Sequence, residues 1–223
     1  MTYSSSDPST VRSIRQRVLL DAWLRALRKP NPLPALIDFD PEADIEELAD
    51  MMGFDVEGKD DAVRFRITQE GARLAEAYGD EHVAPEQRTN RYLDDVIGPD
   101  RYAGIVSCYR ECVARRRPIY SIATLQDADG KDVSYERLLL PFGASSAVEH
   151  IVGSYKAISI EGGFKATNLL GVRPMAAPKR LVNAVIDREP ARRPAGVRPS
   201  DDIVMVEADA GSASPHQTFT SLA

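Results

Sequence analysis

Cysteine and histidine are scarce in this chain. Cys108 and Cys112 are the only two cysteines in 223 residues, and His82, His150 and His216 the only three histidines. Two cysteines make no disulfide framework. With the histidines so far apart, no four-ligand zinc site of ordinary spacing is available. Long apolar runs are missing as well. None approaches the ~18–20 residues needed to span a bilayer, and Met1 to Asp7 lacks the apolar stretch of a signal peptide. A cytoplasmic protein with no membrane span is expected. Positive charge is not in excess: 28 Lys and Arg stand against 34 Asp and Glu, a net charge of -6. Nucleic acid is therefore not an expected partner, because counterion release needs clustered cations. The glycine-rich phosphate loops and the Gly-x-Ser-x-Gly nucleophile elbow are also absent.

What is present is an ordinary globular composition, 43% apolar and 28% charged. The charge is uneven. Residues 1–160 carry 20 basic and 27 acidic side chains, residues 161–200 carry 8 and 3, and residues 201–223 carry 0 and 4. The middle block also holds Pro174, Pro178, Pro190, Pro194 and Pro199, and Gly162-Gly163 reads as a linker hinge. Dense proline and charge with few large apolar residues do not offset the entropy of ordering. The expected division is an N-terminal helical cap and Pro-rich link over 1–50, a folded core over 51–160 and a largely disordered tail over 161–223. Within that tail, Pro178–Arg188 fits a short amphipathic helix or a solvated segment, and Ile203–Val206 a short strand-like run.

Asp7 and Pro8 predict the start of a helix that runs to Lys29, where Pro30, Pro32 and Pro34 follow. Val18, Leu20, Trp23, Leu24 and Leu27 make it apolar on more than one side, which points to a dimer or partner surface. A second helix is expected from Asp40-Pro41-Glu42 to about Met51. Gly53–Glu57 and Ala62–Thr68 read as strands around a turn at Gly58–Asp61. Short helices follow over Gly71–Gly79 and Arg91–Ile97, with a polar loop between them. Tyr102, Ile105, Val106, Tyr109, Cys112 and Val113 set a long helix from Pro99 to Arg117. Ile119–Leu125, Val133–Leu140 and Val148–Ile158 read as three strands, the first two joined at Asp129-Gly130. This order is α+β, with an antiparallel sheet and helices on one face.

The order of elements resembles a PAS domain: two strands, short helices, one long helix, three strands. Residues 12–158 are similar to bacterial single-domain PAS-like proteins. The resemblance is carried by the helix with Trp23, the link Lys29-Pro30-Asn31-Pro32-Leu33-Pro34, and Asp38-Phe39-Asp40-Pro41. Arg66, Gly71 and Gly79 continue it, with two residues more than the family pattern between Arg66 and Gly71. Tyr135-Glu136-Arg137-Leu138-Leu139-Leu140-Pro141 matches best, and it is followed by a strand ending Ile151-Val152-Gly153. The resemblance implies a five-stranded antiparallel sheet and a non-enzymatic signalling or regulatory module. Such a module senses a small ligand, binds a partner such as a histidine kinase, or does both, and a homodimer is expected.

No cofactor is expected. Haem-type members carry a histidine on the long helix, and Pro99–Arg117 has none; flavin photosensors carry a cysteine in an Asn-Cys-Arg context, which is absent. Cys108 and Cys112, four apart on that helix, read as small buried hydrophobes in preference to a redox pair or metal ligands. The pocket candidates are Tyr102, Ile105, Tyr109, Tyr120, Tyr135 and Leu139, an apolar lining with polar tips, with Arg66 and Arg137 able to fork an anion. A plain packed core with exposed arginines is the alternative. Arg115-Arg116-Arg117 complements the helix dipole. The exposed edge of the last strands is a second candidate surface. A small isomerase-like or hydrolase-like enzyme in the same α+β cup is the runner-up, with His150, Glu136 and Asp132 as its available acids and bases. A ligand-free scaffold is the third reading.

Overall fold

A computed structural model describes residues 2–27, 31–41, 45–78, 83–84, 87–126, 132–159 and 179–187. The turn at Asp129-Gly130, Gly79, His82 and residues 160–178 and 188–223 of the expected tail lie outside these residues. One compact unit covers Met1–Ala191 and holds every element described. In chain order these are β1 (Ser4–Ser6), α1 (Ile14–Ala26), α2 (Ile45–Leu48), β2 (Met51–Glu57), β3 (Arg64–Glu70), α3 (Ala72–Tyr78), α4 (Leu93–Ile97), α5 (Pro99–Arg115), β4 (Ile119–Gln126), β5 (Asp132–Phe142), β6 (His150–Ser159) and β7 (Lys179–Ile186). No helix among the described residues is long and apolar enough to cross a membrane.

The fold is α+β. Seven strands form one mixed sheet in the order β1-β7-β4-β5-β6-β2-β3. Every pairing is antiparallel except that of β1 with β7. Two strands beyond the expected five come from the two flanks of the chain. β7 lies in the segment read as helix or solvated tail. Its Val182, Ala184 and Ile186 join one core cluster, while Val185 joins the other. Both sides of this strand are therefore buried, and its β-branched residues suit a pleated surface covered on both faces. The edge of β4, a candidate interaction surface, is occupied by β7, and β6 lies inside the sheet between β5 and β2.

Helices lie on both faces, not one. On the first face α4 and α5 bury Leu93, Val96, Ile97, Cys108, Tyr109 and Cys112 against Phe54, Phe65, Ile67, Leu139, Ile151 and Tyr155. On the second, α1 buries Leu19, Leu20 and Trp23 against Tyr120, Ile122, Leu138, Leu140, Phe142, Ala184 and Ile186. The Trp23 indole donates to the Pro141 carbonyl at 2.7 Å. Leu20 and Trp23, candidates for an intermolecular surface, thus pack against the chain's own sheet. Leu24 and Leu27 are partly buried at the margin of that cluster, and Val18 is exposed.

α1 is shorter than its start signals predict. Asp7 accepts from the Ser9 backbone N–H and caps only a single 3-10 turn, Pro8–Thr10. The chain then extends so that Val11 reaches the core, and Ser13 caps the helix proper. At the other edge, β3 carries a bulge. Gly53 pairs with Gln69 and Phe54 with Ile67, which leaves Thr68 as the extra residue within the long Arg66–Gly71 interval. Gly71 is required sterically: a Cβ there would come within 2.4 Å of the Leu48 and Ala49 carbonyl oxygens.

Candidate functional site

Alternation along the strands decides which side chains meet α5. In β5, Tyr135, Arg137 and Leu139 face it, while Glu136, Leu138 and Leu140 face α1. In β6, Ile151 and Tyr155 lie on the α5 side. The register places Tyr155 opposite Arg137, Arg137 opposite Ser121, and Ser121 opposite Asn183. A polar row, Asn183–Ser121–Arg137–Tyr155, therefore crosses four strands beneath α5.

Arg137 is the centre of this row. It is 9% exposed. Its guanidinium carbon stands 5.9 Å from the ring centroid of Tyr109 and 5.8 Å from those of Tyr135 and Tyr155. By contrast, Arg64 stacks on Tyr92 at 3.7 Å. The three tyrosines thus surround the Arg137 cation without stacking tightly on it, near the outer reach of a cation–π contact. Its Nε is buried with no hydrogen-bond partner, and so is Oδ1 of Asn183. No carboxylate of the described residues pairs with Arg137. Burial opposes its charge, the Cys108, Tyr109, Tyr135 and Tyr155 groups favour it, and the balance lies above the ordinary arginine value. The group stays charged wherever the protein is folded.

The walls are built with equal economy. Tyr109 and Tyr155 share a hydrogen bond between their hydroxyls at 2.6 Å. Phe54 meets Tyr109 edge-on at 5.3 Å, and Tyr135 lies 6.1 Å from Tyr155. Gly153 makes room for Tyr155, because a Cβ at that position would lie 2.5 Å from the Tyr155 hydroxyl. Tyr3, just before β1, donates to Sγ of Cys108 at 3.2 Å. Tyr102, Ile105 and Val106 are half-buried along α5. One turn before Cys108, a Cβ on Gly104 would meet nothing within 4 Å.

Tyr102, Ile105, Tyr109, Tyr135, Leu139 and Arg137 therefore share the α5 side of the sheet. Tyr120 does not: it lies on the α1 face, where its hydroxyl accepts from the Arg12 N–H at 3.1 Å and donates to Glu136 at 2.9 Å. Arg66 is also elsewhere. It alternates with the buried Phe65 and Ile67 and is held by Glu57 at 2.6 Å, by Asn90 at 3.2 Å and by Asp55. Tyr3, Ser121, Tyr155 and Asn183 were not among the candidates. The alternation of β6 puts Tyr155 on the side of Ile151, but its alignment with Arg137 depends on inter-strand register, which no local pattern encodes.

The thiols of Cys108 and Cys112 are fully buried and are not joined in a disulfide. Burial pushes the Cys112 thiol well above its ordinary value. The basic end of α5 is held within the chain: Arg115 pairs with Glu111 at 2.8 Å, and Arg117 pairs with Asp187. No group of three potential metal ligands occurs among the described residues. No protein-family model matches the chain, and a search of curated proteins gives no match.

Proposed function

We propose that this chain is a non-enzymatic regulatory module of the PAS-like kind, which takes a small ligand between α5 and the sheet and reports its presence to a protein partner. The observation that carries the reading is Arg137, a buried cation ringed by tyrosines without a carboxylate partner among the described residues. An unneutralised buried charge is costly in a core serving only stability. The architecture supports the same reading. Within the larger sheet, β3-β2-β6-β5-β4 are five contiguous antiparallel strands, and short helices and the long α5 connect the first two to the last three.

The enzyme reading is weaker. General acid–base chemistry needs a carboxylate or imidazole beside the bound molecule. Glu136 is turned to the α1 face and bonded to Tyr120, and His150 pairs with Asp55 at 2.7 Å. The signalling contact, with a second copy or with a kinase-type partner, falls to the outer side of α1, where Ile14 and Val18 are exposed. Native mass spectrometry of the full chain purified from its own host, with light scattering on the same sample, tests this. A bound small molecule on the folded protein is the expected result. A dimer with no adduct that gains none from a metabolite extract would overturn ligand sensing and favour the scaffold.

A further inference from the structure

We infer that the ligand is a small organic acid: its carboxylate forks onto Arg137, and a hydrogen-bond donor elsewhere on it reaches Asn183. The inference rests on the reading of the cup as a ligand site and names the chemistry of that site. Two buried polar atoms of opposite character lie unsatisfied in one cross-strand row. Nε of Arg137 is a donor and Oδ1 of Asn183 an acceptor. Ser121, opposite both of them on the intervening strand, is small. The two anchors therefore stand about 10 Å apart at the backbone, two strand spacings.

A water molecule would satisfy either atom alone but would leave the charge on Arg137 unbalanced. A carboxylate satisfies both demands, because its two oxygens match the planar guanidinium fork. Phosphate-sized polyanions fit less well. They expect several cationic or amide donors, and the groups placed around the Arg137 guanidinium are phenol rings. Those walls suit an apolar or planar body.

The test uses the purified full chain with 4-hydroxybenzoate and 6-hydroxyhexanoate as probes and the corresponding amides as uncharged controls. Binding is followed by titration calorimetry and thermal shift. At least one acid is expected to bind and raise the melting temperature, with its amide inert. Arg137→Met should weaken that acid by at least about 30-fold, the cost of losing a buried charge partner. Arg137→Lys, which keeps charge but loses the fork, should fall between. Asn183→Leu should weaken the hydroxyl-bearing acid by about fivefold and the unsubstituted benzoate or hexanoate hardly at all. Equal binding of acid and amide, or no effect of Arg137→Met on either acid, would overturn the inference. So would both acids failing to bind at 10 mM, about a thousandfold above micromolar affinity. Native mass spectrometry separates this from the broader reading: a neutral co-purified ligand retained by Arg137→Met removes the organic acid but keeps the sensor.

Discussion

The two faces of the central sheet treat buried charge differently. On the α1 face, Glu47, Asp50 and Lys156 are held together, with Lys156 at 2.8 Å from Glu47 and 2.7 Å from Asp50. Arg73 also reaches Asp50, Ser154 bonds Glu47 at 3.2 Å, and Glu136 takes the Tyr120 hydroxyl. Gln16 donates to the Ser154 carbonyl at 3.0 Å and leaves only its neutral oxygen unbonded. On the α5 face, Arg137 has phenol rings around it and no described carboxylate. Two adjacent residues of one strand supply both situations, since Glu136 and Arg137 point opposite ways. The α1 face is a core joined by a polar clasp; the α5 face pairs Arg88 with Glu70 at 3.1 Å but gives Arg137 no carboxylate among the described residues.

This difference can be broken in order of size. Trp23→Ala should cost most, about 3–5 kcal/mol, because it removes a fully buried indole and a buried donor; the urea midpoint measures it. Lys156→Met should cost about 3 kcal/mol, since it removes the ammonium that two buried carboxylates share. The same substitution at Arg137 should act in the opposite direction. Arg137→Met removes an uncompensated charge, and the ligand-free protein should gain about 1–3 kcal/mol. If both Met variants lose stability alike, the faces do not differ in kind.

The smallest effect is alkaline. Cys112 keeps its proton to higher pH in the folded chain than in the unfolded one, where its ordinary value is 9.0. The unfolded chain therefore releases that proton first, and stability falls as pH rises past about 9, by at most about 1.4 kcal/mol per pH unit. Tyr102 and Tyr120, also pushed up by burial, add to the loss above their ordinary 10.0. Cys112→Ala should flatten the first part of this slope in denaturant titrations between pH 8.5 and 10, and leave the tyrosine part intact.

Much of the fold was legible in local pattern. Val63, Phe65 and Ile67 alternate with charged neighbours, and Pro99 and Pro118 bracket a helix whose apolar residues recur at helical spacing. Tyr109, Tyr135 and Arg137 were legible as candidates for the same reason. The losses have one physical origin: which strand lies beside which is a property of the whole sheet. Val182 to Ile186 carries apolar residues that serve a helix face or a doubly buried strand, and only β4 alongside decides for the strand. Trp23 looked like an outward surface because an apolar stripe does not say whether its cover is another chain or its own sheet. Tyr120 falls on the α1 face and not among the pocket residues, because strand alternation gives relative sides without saying which side holds α5.

The parallel pairing of β1 with β7 has a consequence for the order of synthesis. Ser4 pairs with Ala184 and Ser6 with Ile186. β1 must therefore wait for β7, about 10–35 s at ordinary elongation rates of roughly 5–20 residues per second. Until β7 emerges, the β4 edge has no neighbour on that side, and Asn183 has not yet entered the row beside Arg137. A nascent chain at that stage already holds Arg137 but lacks one wall of its cup and keeps an open strand edge, the form most exposed to pairing with a neighbouring chain.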